Sequence, residues 1–335
     1  MKSAPRKTLS WARCLKYIAR PTLLPAFLFA SILVEPHGAH ALVIDALYDS
    51  SVTSSEQTII SSAISTYEKM FTNPMSVTIE FVTGSISGGS SMVGDYLSPY
   101  ASYTNSLAAN AVANGNTIEA TAYNNLSHGN TAAQVLFTSA DGRALGCLSC
   151  SGTVAGTGSV SSSTLVDGIV TIGSGYYGNS SQVIYHEIDE VLGIGGQGSV
   201  INSSMTSSPP LYNGQTTIGA LDLYRYSAPG VTSLTNSTSA TSYFSINGGA
   251  TNIVGFNQSG VGDYGDWAAS SGCYIQTYDT CTNPAPLSTL SPEGVALQAI
   301  GYDVAVPEPS TVAILAVGLL GLSLARRKSR VRISR

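Results

Sequence analysis

Two periods of apolar residues run through the middle of the chain. Val77, Ile79 and Phe81 alternate with Thr78 and Glu80, the period of two that marks a half-buried strand. Before them, Ile60, Ala63, Ile64 and Tyr67 share one helical stripe. Thr53-Ser54-Ser55-Glu56 has the form of a capping box, so a helix is expected to open there and to end before Pro74. Ser106 to Leu126, with its Ala-rich stretch, predicts a second and weaker helix. Gly168-Ile169-Val170-Thr171-Ile172 predicts another strand, and a third helix follows from about Ser181 to Leu192, with Gly193 as its stop. Gly195 to Pro210 is rich in Gly and Ser and predicts a long loop. Helix, strand, helix, strand, helix is an α+β order, with a loop-rich C-terminal part and no visible internal repeat.

Two longer apolar runs lie near the ends. Thr22 to Val34 follows Lys2, Arg6, Lys7, Arg13, Lys16 and Arg20 and precedes Ala39-His40-Ala41. Basic segment, apolar run and A-x-A site predict a secretory signal peptide over residues 1–41, with the mature chain starting at Leu42. The run of 13 residues is short of the ~20 that span a bilayer, which argues against an anchor. The second run, Thr311 to Ala325, lies between Val306-Pro307-Glu308-Pro309 and Arg326-Arg327-Lys328. As a helix it would be roughly 22 Å long at ~1.5 Å per residue, marginal for a span. A plain tail anchor would share its basic end. Pro-Glu-Pro, apolar helix and basic cluster in that order resemble the PEP-CTERM sorting signal of Gram-negative bacteria. The resemblance implies that residues 307–335 carry a transmembrane helix, hold the chain transiently in the inner membrane, and are removed by an exosortase-type sorting protease. The destination would be the cell envelope, the cell surface or the extracellular matrix.

Charge changes once the ends are set aside. Residues 42–306 hold three basic residues, Lys69, Arg143 and Arg225, against 18 acidic ones, a net charge of −15 that the whole-chain −5 conceals. Such a surface argues against a nucleic-acid partner, because phosphates require Lys and Arg. Four cysteines fall in the same region. An even count in an exported chain predicts two disulfides, most simply Cys147 with Cys150 and Cys273 with Cys281. Cys147-Leu148-Ser149-Cys150 also has redox C-x-x-C spacing, but no thioredoxin-like βαβ pattern surrounds it.

The chemistry concentrates in Tyr185-His186-Glu187-Ile188-Asp189-Glu190-Val191-Leu192-Gly193. On a helix His186 and Glu190 project from one face, one turn apart. Glu187 lies beside His186, where a carboxylate can act as base on a water held by a metal. That is the logic of H-E-x-x-H, with Glu190 in place of the second His. A carboxylate oxygen binds zinc at ~2.0–2.2 Å, so the site is altered rather than abolished. A catalytic zinc needs a third protein ligand. Residues 42–306 hold two histidines, His186 and His128; His128 sits in a Ser-His-Gly loop, and the position that would follow the motif by the H-E-x-x-H-x-x-G-x-x-H spacing is Gly196.

Further segments stand downstream: Leu221-Asp222-Leu223-Tyr224-Arg225-Tyr226-Ser227, Tyr243 to Gly249, Gly262-Asp263-Tyr264-Gly265-Asp266-Trp267 and Ala296 to Tyr302. With the motif helix they resemble a family of exported PEP-CTERM bacterial metalloproteases, distantly similar to leishmanolysin-type metzincins, over roughly residues 165–325. The resemblance implies a zincin/metzincin-like catalytic domain over 42–306, with a mixed sheet and an active-site helix. Its N-terminal subdomain would run to about 193 and its C-terminal subdomain over 194–306. In leishmanolysin-like enzymes the third ligand is the His of a His-Trp pair, and Asp266-Trp267 matches that place. The resemblance thus implies His186, Glu190 and Asp266 as ligands and Glu187 as catalytic base, with Asp222 a competing ligand. The set of one imidazole and two carboxylates suits Zn²⁺ and also Mn²⁺ or Fe²⁺. No methionine stands where a Met-turn would follow; the stretch is Cys273-Tyr274-Ile275-Gln276. The expected activity is hydrolysis of peptide or protein substrates, with Tyr185 or Tyr264 as donor to the oxyanion. The alternative is a metzincin-like module without catalysis, serving as a surface or exopolysaccharide-matrix structural protein. A calcium-stabilised adhesin is a third class, and neither an EF-hand loop nor a nonapeptide repeat supports it.

Overall fold

The structure, a computed structural model, describes residues 42–126, 133–178, 182–212 and 214–304. The signal segment before Leu42, the sorting segment from 305 onward and His128 lie outside the described residues. Strand β1 (Val43–Tyr48) leads into helix α1 (Ser54–Met70). The capping box forms: the Thr53 hydroxyl accepts from the Glu56 amide, and the Glu56 carboxylate accepts from the Thr53 amide at 2.7 Å. The residues α1 buries are Ile60, Ala63, Ile64 and Tyr67, the stripe legible in the sequence. Strands β2 (Ser76–Gly84), β3 (Gly89–Val93) and β4 (Asp95–Pro99) follow.

Two helices, α2 (Tyr100–Asn114) and α3 (Thr117–Asn124), replace the single one expected over 106–126. Gly115 ends α2 in the left-handed region at φ 68°, and the Asn116 side chain caps α3 by accepting from the Glu119 amide at 3.0 Å. The apolar pattern does not mark this break, because Leu107, Ala111 and Ala122 are buried on both sides of it.

Strand β5 (Gln134–Thr138), helix α4 (Ser139–Ala144) and strands β6 (Val154–Ala155), β7 (Leu165–Val166) and β8 (Gly168–Gly173) precede the motif helix α5 (Gln182–Leu192). After it come β9 (Leu211–Tyr212), β10 (Gln215–Gly219), β11 (Arg225–Ala228), β12 (Val231–Thr232), β13 (Tyr243–Phe244), β14 (Val254–Gly255) and α6 (Pro292–Ala299). The described residues thus form a mixed α+β structure with six α-helices.

The principal sheet has the order β1-β2-β8-β3, with β1, β2 and β8 parallel and β3 antiparallel at the edge. A second sheet, β4-β5-β10-β9, pairs strands from before and after the motif helix, and β12-β11-β13-β14 form a third, antiparallel one. Val77, Ile79, Phe81, Val170 and Ile172 of the principal sheet are fully buried. Each such side chain contributes roughly 1.5–3 kcal/mol by leaving water. Helix α5 packs on β8 and β3 and against α1. The Tyr67 hydroxyl of α1 lies 2.8 Å from Asp189 Oδ1 and 2.9 Å from the Tyr185 carbonyl, which fixes the rotation of α5 about its axis. At the other end Gly193 takes φ +109° and ends the helix, and the Tyr302 hydroxyl donates to the Leu192 carbonyl at 2.8 Å. Among the described residues no helix is long and apolar enough to cross a membrane; the stretch from Thr311 to Ala325 lies outside them.

Candidate metal centre

Helix α5 presents His186 and Glu190 from one face, and Asp266 meets them from the segment between β14 and α6. His186 Nε2 lies 3.6 Å from Asp266 Oδ2 and 3.9 Å from Glu190 Oε1. One ligand atom from each of the three falls within 4.8 Å of the other two. Three atoms placed tetrahedrally around zinc at ~2.0–2.2 Å stand roughly 3.4 Å apart, so small rotamer changes suffice to close the set on an ion.

Every one of these side chains is oriented by a further contact. His186 Nδ1 faces the Ile275 carbonyl at 3.3 Å, which places a ring proton there and turns Nε2 toward the carboxylates. Glu190 Oε1 accepts from the Gly196 amide at 2.9 Å and Oε2 from the Ser91 hydroxyl at 2.5 Å. Asp266 Oδ1 accepts from Gln276 Nε2 at 3.1 Å. Gly196, where the metzincin spacing would put a histidine, thus supplies a backbone donor to a ligand instead. A side chain there has no room, since a Cβ would lie 2.6 Å from Glu190 Oε1 and 2.7 Å from Asp263 Cγ.

Burial and mutual repulsion disfavour the charged forms of the carboxyls in this cluster. Burial, then Asp266, pushes the Glu190 carboxyl up to about 7, with His186 pulling the other way. Burial, then Glu190 and Asp266, pushes Glu187 up to about 10. Burial holds Asp266 well above the ordinary carboxylate range. No Lys or Arg lines the cleft, and Glu187 Oε2 is buried without a hydrogen-bond partner among the described residues. Buried carboxylates are costly unless paired or bound to a metal. A divalent ion at the convergence point of His186, Glu190 and Asp266 removes that cost, and the donor set fits zinc, manganese or iron.

The cluster opens into a cleft of about 280 Å³. Residues 87–91, including edge strand β3, form one wall, α5 the floor, and Gly262, Asp263, Thr277 and Tyr278 stand opposite. Gly89 is the close approach of wall to floor: a Cβ there would meet Glu187 Oε1 and would lie 2.7 Å from Val183 Cγ1.

Asp222 is not part of this arrangement. It accepts from the Ser199 hydroxyl at 2.7 Å and the Val200 amide at 2.9 Å, and it faces the fully buried Arg225 at 3.6 Å. Neither Tyr185 nor Tyr264 reaches the cleft. The Tyr185 hydroxyl bonds with Thr66, and that of Tyr264 donates to the Asn236 carbonyl. Tyr278, which sequence reasoning passed over, is the tyrosine lining the cleft. Trp267 is a core residue, packed on Phe244 and Phe256, with its indole N–H on Glu293 Oε1 at 3.1 Å. Ser91, Gly196, Ile275 and Gln276 also escaped the sequence reading. Ser91 and Ile275 reach the motif helix from remote parts of the chain, Gly196 reaches Glu190 from just beyond the end of that helix, and the one local signal for Ile275 and Gln276 was the pair of cysteines bracketing them. Both expected disulfides, Cys147–Cys150 and Cys273–Cys281, are present.

Residues 305–328 match the family model of the PEP-CTERM protein-sorting motif. No curated protein and no solved structure matches the chain. The sorting motif marks an exported protein of the cell envelope or surface that an exosortase recognises.

Proposed function

We propose that the protein is a metal-dependent endopeptidase of the cell envelope, built on a metzincin-like catalytic domain. The observation that carries this reading is the convergence of His186, Glu190 and Asp266 within 4.8 Å in an open cleft that also holds Glu187. His186, Glu190 and Asp266 would hold zinc, manganese or iron, which supplies Lewis acidity and lowers the pKa of water. Glu187 takes the proton of the water that attacks the scissile carbonyl carbon. It then delivers that proton to the amide nitrogen as the C–N bond breaks. A cation beside Glu187 favours its charged form and so brings it down from about 10 toward the range of a working base.

Strand β3 supports an extended peptide as substrate. Gly173 donates to the Gly88 carbonyl and Gly94 to the Asp167 carbonyl, so the alternating pattern turns the Gly89 and Ser91 backbone groups away from β8, and the Ser91 carbonyl accepts from the Gln197 side chain at 3.2 Å. A peptide strand added along that edge would pass above Glu187. Removal of the sorting segment by an exosortase in a Gram-negative envelope, after transient anchoring, belongs to the same proposal.

The test is elemental analysis and peptide hydrolysis on the purified chain, its His186→Ala variant and its Glu187→Gln variant. The expected result is about one transition metal per chain, lost in His186→Ala. In Glu187→Gln the metal stays and hydrolysis falls about 10²–10⁴-fold. Full hydrolysis by Glu187→Gln would overturn the mechanism. A chain that takes up no transition metal would favour a structural protein of the surface or exopolysaccharide matrix.

A further inference from the structure

The segment from Cys273 to Cys281 contacts two of the three candidate ligands, His186 and Asp266. Its Ile275 carbonyl holds His186 Nδ1, and its Gln276 amide holds Asp266 Oδ1. Its main chain also sets the backbone beside Asp266. Trp267 donates to the Gln276 carbonyl at 2.8 Å, and Tyr278 donates to the Trp267 carbonyl at 3.1 Å. The Gln276 backbone N–H donates in turn to Glu293 Oε1 at 3.1 Å, the same oxygen that receives the Trp267 indole.

The segment is also fastened to the motif helix. Gln182, one turn before His186, donates to the Tyr274 carbonyl at 3.1 Å and accepts from the Cys281 amide at 3.0 Å. Gln276 is fully buried, and the chain opposite has made room for it: at Gly195, φ +66°, a Cβ would collide with the Gln276 carboxamide. Between 273 and 281 there is no helix and no strand, only an isolated bridge from Thr277 to Trp267. The covalent link Cys273–Cys281 closes this segment on itself, around a turn in which the Tyr274 amide donates to the Thr277 hydroxyl at 3.0 Å.

We propose, on the metal-centre reading above, that the disulfide-closed loop 273–281 positions the ligands, with Gln276 as positioning residue for Asp266. The centre then acquires its full metal affinity only once Cys273–Cys281 has formed. Partners that orient metal ligands typically account for about 10–100-fold in metal affinity. Disulfides persist in oxidising compartments and not in a reducing cytoplasm. A chain bearing an export signal for the envelope would thus assemble a tight site after leaving the cytoplasm. Both cysteines are only half-buried, so a reductant reaches them. With a water-soluble trialkylphosphine, the S–S bond breaks and the two sulfurs leave as thiols with two protons from water. Phosphorus takes the water oxygen and ends as phosphine oxide.

The experiment uses the full purified chain loaded with Zn²⁺ in competition with a chelating dye, and with Co²⁺ for the visible spectrum. Gln276→Ala is expected to weaken metal affinity about 10–100-fold. It should also change the Co²⁺ spectrum, a readout that the loss of stability expected from truncating the buried Gln276 does not by itself move. Phosphine reduction of a Cys147→Ala/Cys150→Ala background, and the Cys273→Ala/Cys281→Ala variant, should weaken affinity in the same direction. Wild-type affinity and spectrum in Gln276→Ala would overturn the positioning role. Undiminished affinity after reduction would overturn the dependence on the disulfide. If the Cys273→Ala/Cys281→Ala variant does not fold, Gln276→Ala and the reduction arm decide. Failure of the wild-type chain to bind any transition metal is a different outcome: it removes the metal centre itself, and this proposal with it.

Discussion

Glu119 shows how much a single buried carboxyl contributes in this chain. It is fully buried on α3, receives one hydrogen bond from Asn110 at 3.1 Å, and has a second oxygen without a hydrogen-bond partner. Burial raises it from 4.5 to about 9. Folding therefore takes up a proton at this site. The associated stability is complete below about 4.5 and is lost as pH rises through about 9. The slope is at most ~1.4 kcal/mol per pH unit for one group. Glu119→Gln keeps the shape and removes the charge. Its melting temperature should exceed wild type at pH 8 and approach it near pH 4; an equal offset at both would contradict the assignment. The sequence showed Glu119 only as an acid in a helix, since its burial depends on neighbours such as Asp303 and Asp141 that are remote in the chain.

At the scale of elements, α1 and β3 carry different kinds of information. The N-terminus of α1 is a local motif, and its hydrogen bonds formed as the spacing required. Thr53→Ala should cost ~1 kcal/mol, read from denaturant midpoints, and leave metal binding alone because the cap is remote from the cleft. Strand β3 was not legible: Gly89-Ser90-Ser91-Met92-Val93 has no apolar alternation, being an exposed edge held by its ladder to β8. Its Gly89 is nonetheless critical to the cleft. Gly89→Ala would drive a Cβ against Glu187 and Val183, so peptide hydrolysis should fall while His186, Glu190 and Asp266 still retain the ion. Hydrolysis at the wild-type rate would show that the strand yields. The split of the expected helix over 106–126 has a similar cause. Gly115 and Asn116 were local stop and start signals, but the continuous apolar stripe outweighed them.

Over the whole molecule, the carboxylates around His186 crowd together, so under the proposed function a bound cation would stabilise the folded state. Burial raises Glu187, Glu190 and Asp266; Asp266 further raises both glutamates, and Glu190 raises Glu187. An ion that binds only the folded chain stabilises it by ~2.7 kcal/mol at a hundred times its dissociation constant. Chelation should therefore lower the melting temperature of the wild-type chain and leave that of His186→Ala unchanged. Equal shifts in both would locate the effect elsewhere.

The sequence alone determined what depends on neighbours along the chain. That includes the capped first helix, the α5 face with His186, Glu187 and Glu190 at fixed angular spacing, the two cysteine pairs, and the C-terminal sorting motif. The tertiary structure decided what depends on distance across the fold. Asp266, rather than Asp222, meets His186, because Arg225, Ser199 and the Val200 amide already occupy Asp222. Gly196 became a donor to Glu190, and Gln276 became the partner of Asp266. Helical periodicity sets an angle between near neighbours, and nothing in it sets the path of a loop that returns from 70 or more residues away.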